Sequence, residues 1–217
     1  MKLTSTMATL AGALLAGVVG TAQASVVDFQ DVASGSCNSA GTSVQSRGFT
    51  FAGNPQDPSL FVCDAGVIQN NTSAALINAN SQSILTMTES GGAAFSLTSF
   101  FAGGRTENFA PSLPVSTHGA ASSIDILGNL VGGGSVFATI LLDTVAPYDW
   151  SQFFLPTSFT NLSSVVFTAQ GNGSDPEFLI DDIVVNEPVQ PVPEPASLAL
   201  LGVGLAGLGL ARRRYTA

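Results

Sequence analysis

Four aspartates are the residues of this chain best suited to chemistry. Asp181 and Asp182 stand side by side in PEFLIDDIVV, and Asp28 and Asp31 stand in VVDFQDV. Calcium takes about six to eight oxygen ligands. Two carboxylate pairs with neighbouring carbonyls would supply them if the first and last strands of one domain met, so a structural Ca2+ is the one cofactor this layout suggests. A plainer role is also open, with one aspartate of each pair facing solvent while the other ends a ladder or caps a turn. Hydrolysis is the other chemistry available to carboxylates. A polysaccharide hydrolase needs two of them facing each other across a sugar, roughly 5 to 10 Å apart. Asp125, Asp149, Asp175 and Glu177 are the candidates, but no local motif singles out a pair. His118 is the single histidine and no G-x-S-x-G turn accompanies it, so a serine triad has no support. No catalytic residue is assigned, and a non-enzymatic protein is expected.

Cys37 and Cys63 are the only cysteines. In an oxidising compartment such a pair reads first as a disulfide, whereas zinc would need more ligands than two distant cysteines and one histidine supply. Tyr148 and Trp150 in APYDWSQFFLP have polar neighbours in Asp149 and Gln152. On an exposed face they would stack on a sugar ring; buried, they would serve as core or edge packing, as large aromatics usually do.

The elements that must position these residues are strands. Between residues 25 and 187, short stretches rich in Val, Ile, Phe and Thr alternate with Gly, Asn, Ser and Pro, the mark of an all-β domain. Ten strands are predicted: 26–32, 44–52, 59–63, 84–88, 93–101, 123–127, 135–142, 152–155, 163–169 and 178–185. Several show a period of two, with Ile124 and Ile126 flanking Asp125, which gives one buried and one outward face. The Asn-rich stretch 70–83 is read as a short helix or irregular loop, 106–119 as a long surface loop, and Gly132-Gly133-Gly134 as a hairpin turn. Ten short strands in 163 residues predict one antiparallel β-sandwich, jelly-roll-like in plan. Within this span Arg47 and Arg105 face fourteen Asp and Glu, leaving a formal charge of −12 with His118 neutral. A surface of that sign repels phosphate backbones, so nucleic acid is not an expected partner.

Both ends of the chain read as addresses. Residues 1–24 have a cation at Lys2, an apolar run from Met7 to Gly20 and a small-residue site at Ala22-Gln23-Ala24. This is the layout of a secretory signal cut before Ser25, which makes the Sec translocon and signal peptidase expected partners. At the other end, residues 188–195 form a Pro-rich linker closing on Val192-Pro193-Glu194-Pro195. Residues 196–217 then hold an apolar run, Ala196 to Ala211, and a basic stop at Arg212, Arg213 and Arg214. Pro193 and Pro195 hold the backbone extended around Glu194, where an enzyme can read it. Sixteen apolar residues make a helix of roughly 24 Å, short of the roughly 30 Å hydrocarbon core, and snorkelling arginines or local thinning make up the difference. A single transmembrane helix with its arginines on the cytoplasmic side is the expectation.

The order of PEP, apolar helix, arginine cluster and chain end resembles the PEP-CTERM sorting signal of Gram-negative bacteria, a tail also known as the ice-binding protein C-terminal domain. The resemblance implies recognition by exosortase, a membrane transpeptidase, and association with exopolysaccharide systems. Residues 25–187 show none of the regular Thr-rich repeats that an ice-binding face requires. The combined expectation is an exported protein, held transiently in the inner membrane and sorted to the cell surface or extracellular matrix. There it would bind exopolysaccharide or join a biofilm, with a secreted polysaccharide hydrolase as the alternative.

Overall fold

The structure is a computed structural model, and it describes residues 24–186 apart from 34, 58, 65–72, 80–82, 105–118, 144–149 and 174. The expected signal segment up to residue 23, the linker and the membrane helix lie outside the described residues, as does the expected loop up to His118. Within them the chain forms strands only: β1 (Ser25–Val27), β2 (Cys37–Gly41), β3 (Ser43–Ser46), β4 (Phe49–Ala52), β5 (Leu60–Cys63), β6 (Ala75–Asn78), β7 (Ile84–Glu89), β8 (Leu97–Gly104), β9 (Ala121–Leu130), β10 (Ser135–Leu141), β11 (Ser151–Phe154), β12 (Leu162–Gly171) and β13 (Phe178–Val185).

These strands build the expected antiparallel sandwich. One sheet runs β11-β8-β13-β6-β5-β2, with β1 as its seventh strand paired to β13; the other runs β10-β9-β12-β7-β4-β3. The period-two residues fill the space between them. Ile124 and Ile126 on β9, with Val165 and Phe167 on β12, meet Phe100 and Ala102 on β8 and Phe178 and Ile180 on β13, all buried in one core. Aromatic edges join the layers: the Phe100 ring meets Phe167 of the opposite sheet at 5.5 Å in a T-shaped contact.

Several boundaries differ from the sequence-based expectation, each for a local reason. The predicted strand 44–52 is a hairpin, because Arg47 and Gly48 both adopt positive φ, 49° and 83°, which turns the chain between β3 and β4. The predicted strand 26–32 ends after Val27, where Phe29 takes φ 54° and its carbonyl accepts the N–H groups of Val32 and Ala33. The stretch read as helix or loop contains β6, whose four residues are all buried. Its apolar Ala-Leu-Ile run is too short to show a period. The hairpin at Gly132-Gly133-Gly134 is present, with φ of 91°, 103° and 87°.

Strand β13 shares a single edge between two partners: Phe178–Ile180 pair with β6, and Ile183–Val185 pair with β1. Asp181 and Asp182 fall at the handover, where the register with β8 also shifts.

Candidate functional site

The handover brings the expected aspartates close. Because β1 and β13 run antiparallel from Ser25↔Val185 to Val27↔Ile183, Asp28 arrives beside Asp182. Asp28 turns instead toward Arg47, whose Nε and second guanidinium nitrogen donate to its two oxygens at 3.0 and 3.2 Å. Asp31 accepts the Ser46 hydroxyl at 2.6 Å and the Arg47 N–H at 2.9 Å. Asp181 is buried, takes the Ser73 hydroxyl on one oxygen and the Asp182 N–H on the other at 2.7 Å. Its carboxylate thus satisfies backbone where Asp182 adopts φ 45°. Among the described residues no group of three or more His, Cys, Asp and Glu is arranged to hold a metal ion. Asp28 and Asp31 bond to the Arg47 hairpin, and Asp181 to the backbone at the register shift.

The charges in this cluster set a pH dependence. Burial pushes the Asp182 carboxyl up from the ordinary value of 3.8, the like charge of Asp28 adds to that, and a hydrogen bond from Ser73 opposes it. At Asp31 burial also pushes upward, but the Ser46 hydroxyl and the Arg47 N–H outweigh it and hold the carboxyl below 3.8. A raised value in the fold means that ionised Asp182 opposes folding at neutral pH, relieved as pH falls through that raised value. The lowered Asp31 contributes stability above its ordinary value, lost as pH falls through the lowered one. Asp182→Asn should therefore raise stability at neutral pH by under about 1 kcal/mol, since solvent screens a half-buried group. Asp31→Asn should lower it. On acidification from about pH 7 to about pH 3 the Asp182 difference should close and the Asp31 difference should narrow, as denaturant midpoints will report.

The aromatic pair also resolves only in part. Tyr148 lies outside the described residues. Trp150 is half-buried and packs, with Cys37 and Phe61, on an apolar cluster of Cys63, Ala75, Ile77, Ala79 and Leu179. Its ring packs against the second apolar side of the seven-stranded sheet and keeps part of its surface open. Cys37 and Cys63 are bonded to each other as expected and are register partners across β2 and β5. Of the hydrolase candidates, Glu177 is only 2 % exposed, and its main chain bridges to Ala120.

A surface that sequence reasoning missed is the outer face of the six-stranded sheet. Ile124, Ile126 and Ile140 point into the core, so their neighbours Ser123, Asp125 and Leu127 on β9, and Phe137, Thr139 and Leu141 on β10, point outward. Phe137 pairs with Leu127, and Thr139 with Asp125. Phe137 is 61 % and Leu141 77 % exposed. Beside them Asp125 accepts the Thr139 hydroxyl at 2.7 Å and the Gln170 amide at 3.3 Å, and Asn129 donates to Ser164 at 2.8 Å. The result is a shallow, strand-built face carrying one open aromatic ring beside amide, hydroxyl and carboxylate groups already held in place. Such a set can stack on a sugar ring and exchange hydrogen bonds with its hydroxyls. The signal was present in the SVFATIL alternation, which places Phe137 and Leu141 on the same parity as Ser135 and Thr139.

Fold and face together define an all-β antiparallel sandwich with a polar sheet surface. The C-terminal residues 191–214 match the model of the PEP-CTERM protein-sorting motif, so the tail carries the motif that the sequence resembles. Sorting for export to the cell surface follows from that motif. No curated protein matches the sequence. Among solved structures, a DUF4465 family protein from Bacteroides caccae is similar at 14% identity and TM-score 0.48, covering 75% of this chain and 98% of its own. A family 29 carbohydrate binding module is similar at 10% identity and TM-score 0.36, covering 81% and 98%. TmCBM61, in complex with β-1,4-galactotriose, is similar at 9% identity and TM-score 0.36, covering 64% and 88%. Likeness at this level says nothing of the ligand of this chain.

Proposed function

We propose that this PEP-CTERM protein is an exported, non-catalytic polysaccharide-binding protein of the cell surface or extracellular matrix, and that it holds its ligand on the outer face of the six-stranded sheet. The observation that carries the reading is the open Phe137 ring beside the Thr139–Asp125–Gln170 hydrogen-bonded group. Stacking and hydroxyl recognition need these two components together. The acidic surface suits a neutral polymer better than an anionic one, since like charges repel. In pull-downs with the exopolysaccharide of the producing cell, Phe137→Ala should weaken binding about tenfold, equivalent to roughly 1.4 kcal/mol. Stability should change by no more than about 0.5 kcal/mol, as for an exposed side chain. Unchanged binding would refute the assignment of this face.

The route to the surface is the second part of the reading. The Ala22-Gln23-Ala24 site supports export through the Sec translocon and cleavage by signal peptidase before Ser25. The Val192-Pro193-Glu194-Pro195 motif, apolar run and Arg212-Arg213-Arg214 stop support a transient inner-membrane hold in a Gram-negative cell, released or transferred by exosortase. Glu194→Ala should leave full-length precursor in the inner-membrane fraction. Processing at the wild-type rate would remove the motif from the mechanism.

A further inference from the structure

The six-stranded sheet ends on β10, and the free side of that strand differs from the other edges of the sandwich. The order β10-β9-β12-β7-β4-β3 places no strand beyond it among the described residues. β10 is seven residues long, whereas the terminal strands β2, β3 and β11 have five, four and four. Its register with β9 runs without a shift, so no bulge twists the edge away. Its sequence, Ser-Val-Phe-Ala-Thr-Ile-Leu, contains no charge and no proline. Shortness, bulges, lysine and proline are the devices that keep sheet edges from pairing, and β10 has none of them.

The phase of its backbone is fixed by two bonds. The Leu142 N–H donates to the Ser122 carbonyl, and the Leu130 N–H to that of Gly134. Even-numbered residues of β10 therefore exchange bonds with β9, since paired residues alternate between bonded and non-bonded along an antiparallel ladder. The N–H and carbonyl groups of Ser135, Phe137, Thr139 and Leu141 point the other way, out along the free side.

We propose that this edge pairs with a second copy of the chain, β10 joining β10 antiparallel about a two-fold axis at Ala138, so that two six-stranded sheets become one. The axis sets Leu141 against Ser135, Thr139 against Phe137 and Ile140 against Val136 of the second copy, with large beside smaller at each step. Ala138 meets Ala138 on the axis, where Cα atoms approach to about 4.5 Å. Each residue with free backbone groups then faces another, giving about eight bonds between the chains, two per pair. No other register engages all of them. The chain has fifteen Asp and Glu against six Lys and Arg, yet this seam brings no charge against its like. Asp125 on β9 stands three strand spacings from its copy, about 14 Å, beyond the roughly 8 Å screening length. β11 closes the other sheet on the same flank, because Phe100 of β8 stacks on Phe167 of β12. A seam about 24 Å long and roughly 20 Å deep across both layers buries roughly 1,000 Å² in total, near the lower limit for a specific pair. The pairing is therefore reversible and concentration-dependent. It is isologous, each copy offering the same strand, and it leaves the outer face of the joined sheet uncovered. It does not depend on that face binding polymer.

The test uses the full chain in detergent micelles with the Cys37–Cys63 disulfide intact. Ala138→Cys places a thiol from each copy at the axis and should crosslink into a dimer under mild oxidation. Ser135→Cys is at a more exposed position but lies six residues along the strand from its copy, about 20 Å, and should crosslink several-fold less. Equal or greater crosslinking at Ser135→Cys is what random collision gives and overturns the register. No crosslinking at Ala138→Cys overturns self-pairing. Leu141→Pro removes an N–H that faces away from β9, a change that edge strands accept. It should keep the urea midpoint and abolish the Ala138→Cys crosslink; a crosslink that persists in the folded variant places the contact elsewhere and overturns the edge. Should Leu141→Pro unfold the chain, Leu141→Lys, lysine being a natural guard of edges, should lower the same crosslink several-fold, and an unchanged yield counts against β10.

Discussion

Serine at both Cys37 and Cys63 should lower the free energy of unfolding by about 3.5 kcal/mol, the chain-entropy estimate for a closed loop of this size. The two residues are 26 apart in sequence, and their bond joins β2, the last strand of its sheet, to β5. Little else fastens β2. Its sequence is Cys-Asn-Ser-Ala-Gly and none of its five residues is fully buried, so apolar burial contributes little there, and strands at a sheet edge bond on one side only. The double variant should therefore lose hydrogen-exchange protection at 38–41 before the rest of the sheet, with a lower urea midpoint. A wild-type midpoint in the variant, with oxidation of the parent verified by mass, would show that β2 is held by its backbone bonds alone.

Phe100→Ala should be the most costly single truncation in the core, at about 3 to 5 kcal/mol. Phe100 is fully buried and touches two rings, Phe153 of its own sheet at 6.1 Å and Phe167 of the opposite sheet at 5.5 Å. Removing it opens a cavity at the seam between the layers, where close packing prevents neighbours from filling it. Phe100→Leu keeps most of the volume and should cost markedly less. Phe154→Ala provides the contrast on the same sheet: that side chain is largely exposed, and its loss should move the denaturant midpoint by no more than about 0.5 kcal/mol in equivalent stability. Similar costs for Phe100→Ala and Phe154→Ala would contradict the assignment of Phe100 to the inter-sheet core.

The sandwich was legible because its long strands alternate. In β9 and β12 the apolar residues recur every second position, and one buried face follows from the pleat. Where that signal thins, the reading thinned with it. The stretch containing β6 is buried on both faces and shows no alternation, while β2 is too polar to look like a strand. The β3–β4 hairpin turns on Arg47, a non-glycine residue at positive φ, which no pattern of hydrophobicity announces. The aspartates were legible as neighbours, since first and last strands do meet, but their chemistry was not. Asp28 pairs with Arg47, which reaches it through a turn that the sequence hid. The same holds for Trp150, whose exposure is decided by the strands it packs on. The sheet face around Phe137 was missed for a different reason: an aromatic on the outward parity of a strand resembles a core residue until the register is known.

The pairing of β1 with β13 bears on how the chain folds. Ser25 and its partner Val185 stand at opposite ends of the described sequence. The seven-stranded sheet therefore cannot acquire its seventh strand until the chain from β2 to β13 is available to bring the two together. A contact between positions this far apart closes slowly, because loop entropy must be lost before the pairing is gained. Until β13 is in place, β1 lacks the strand it pairs with and the sheet stays open along that edge.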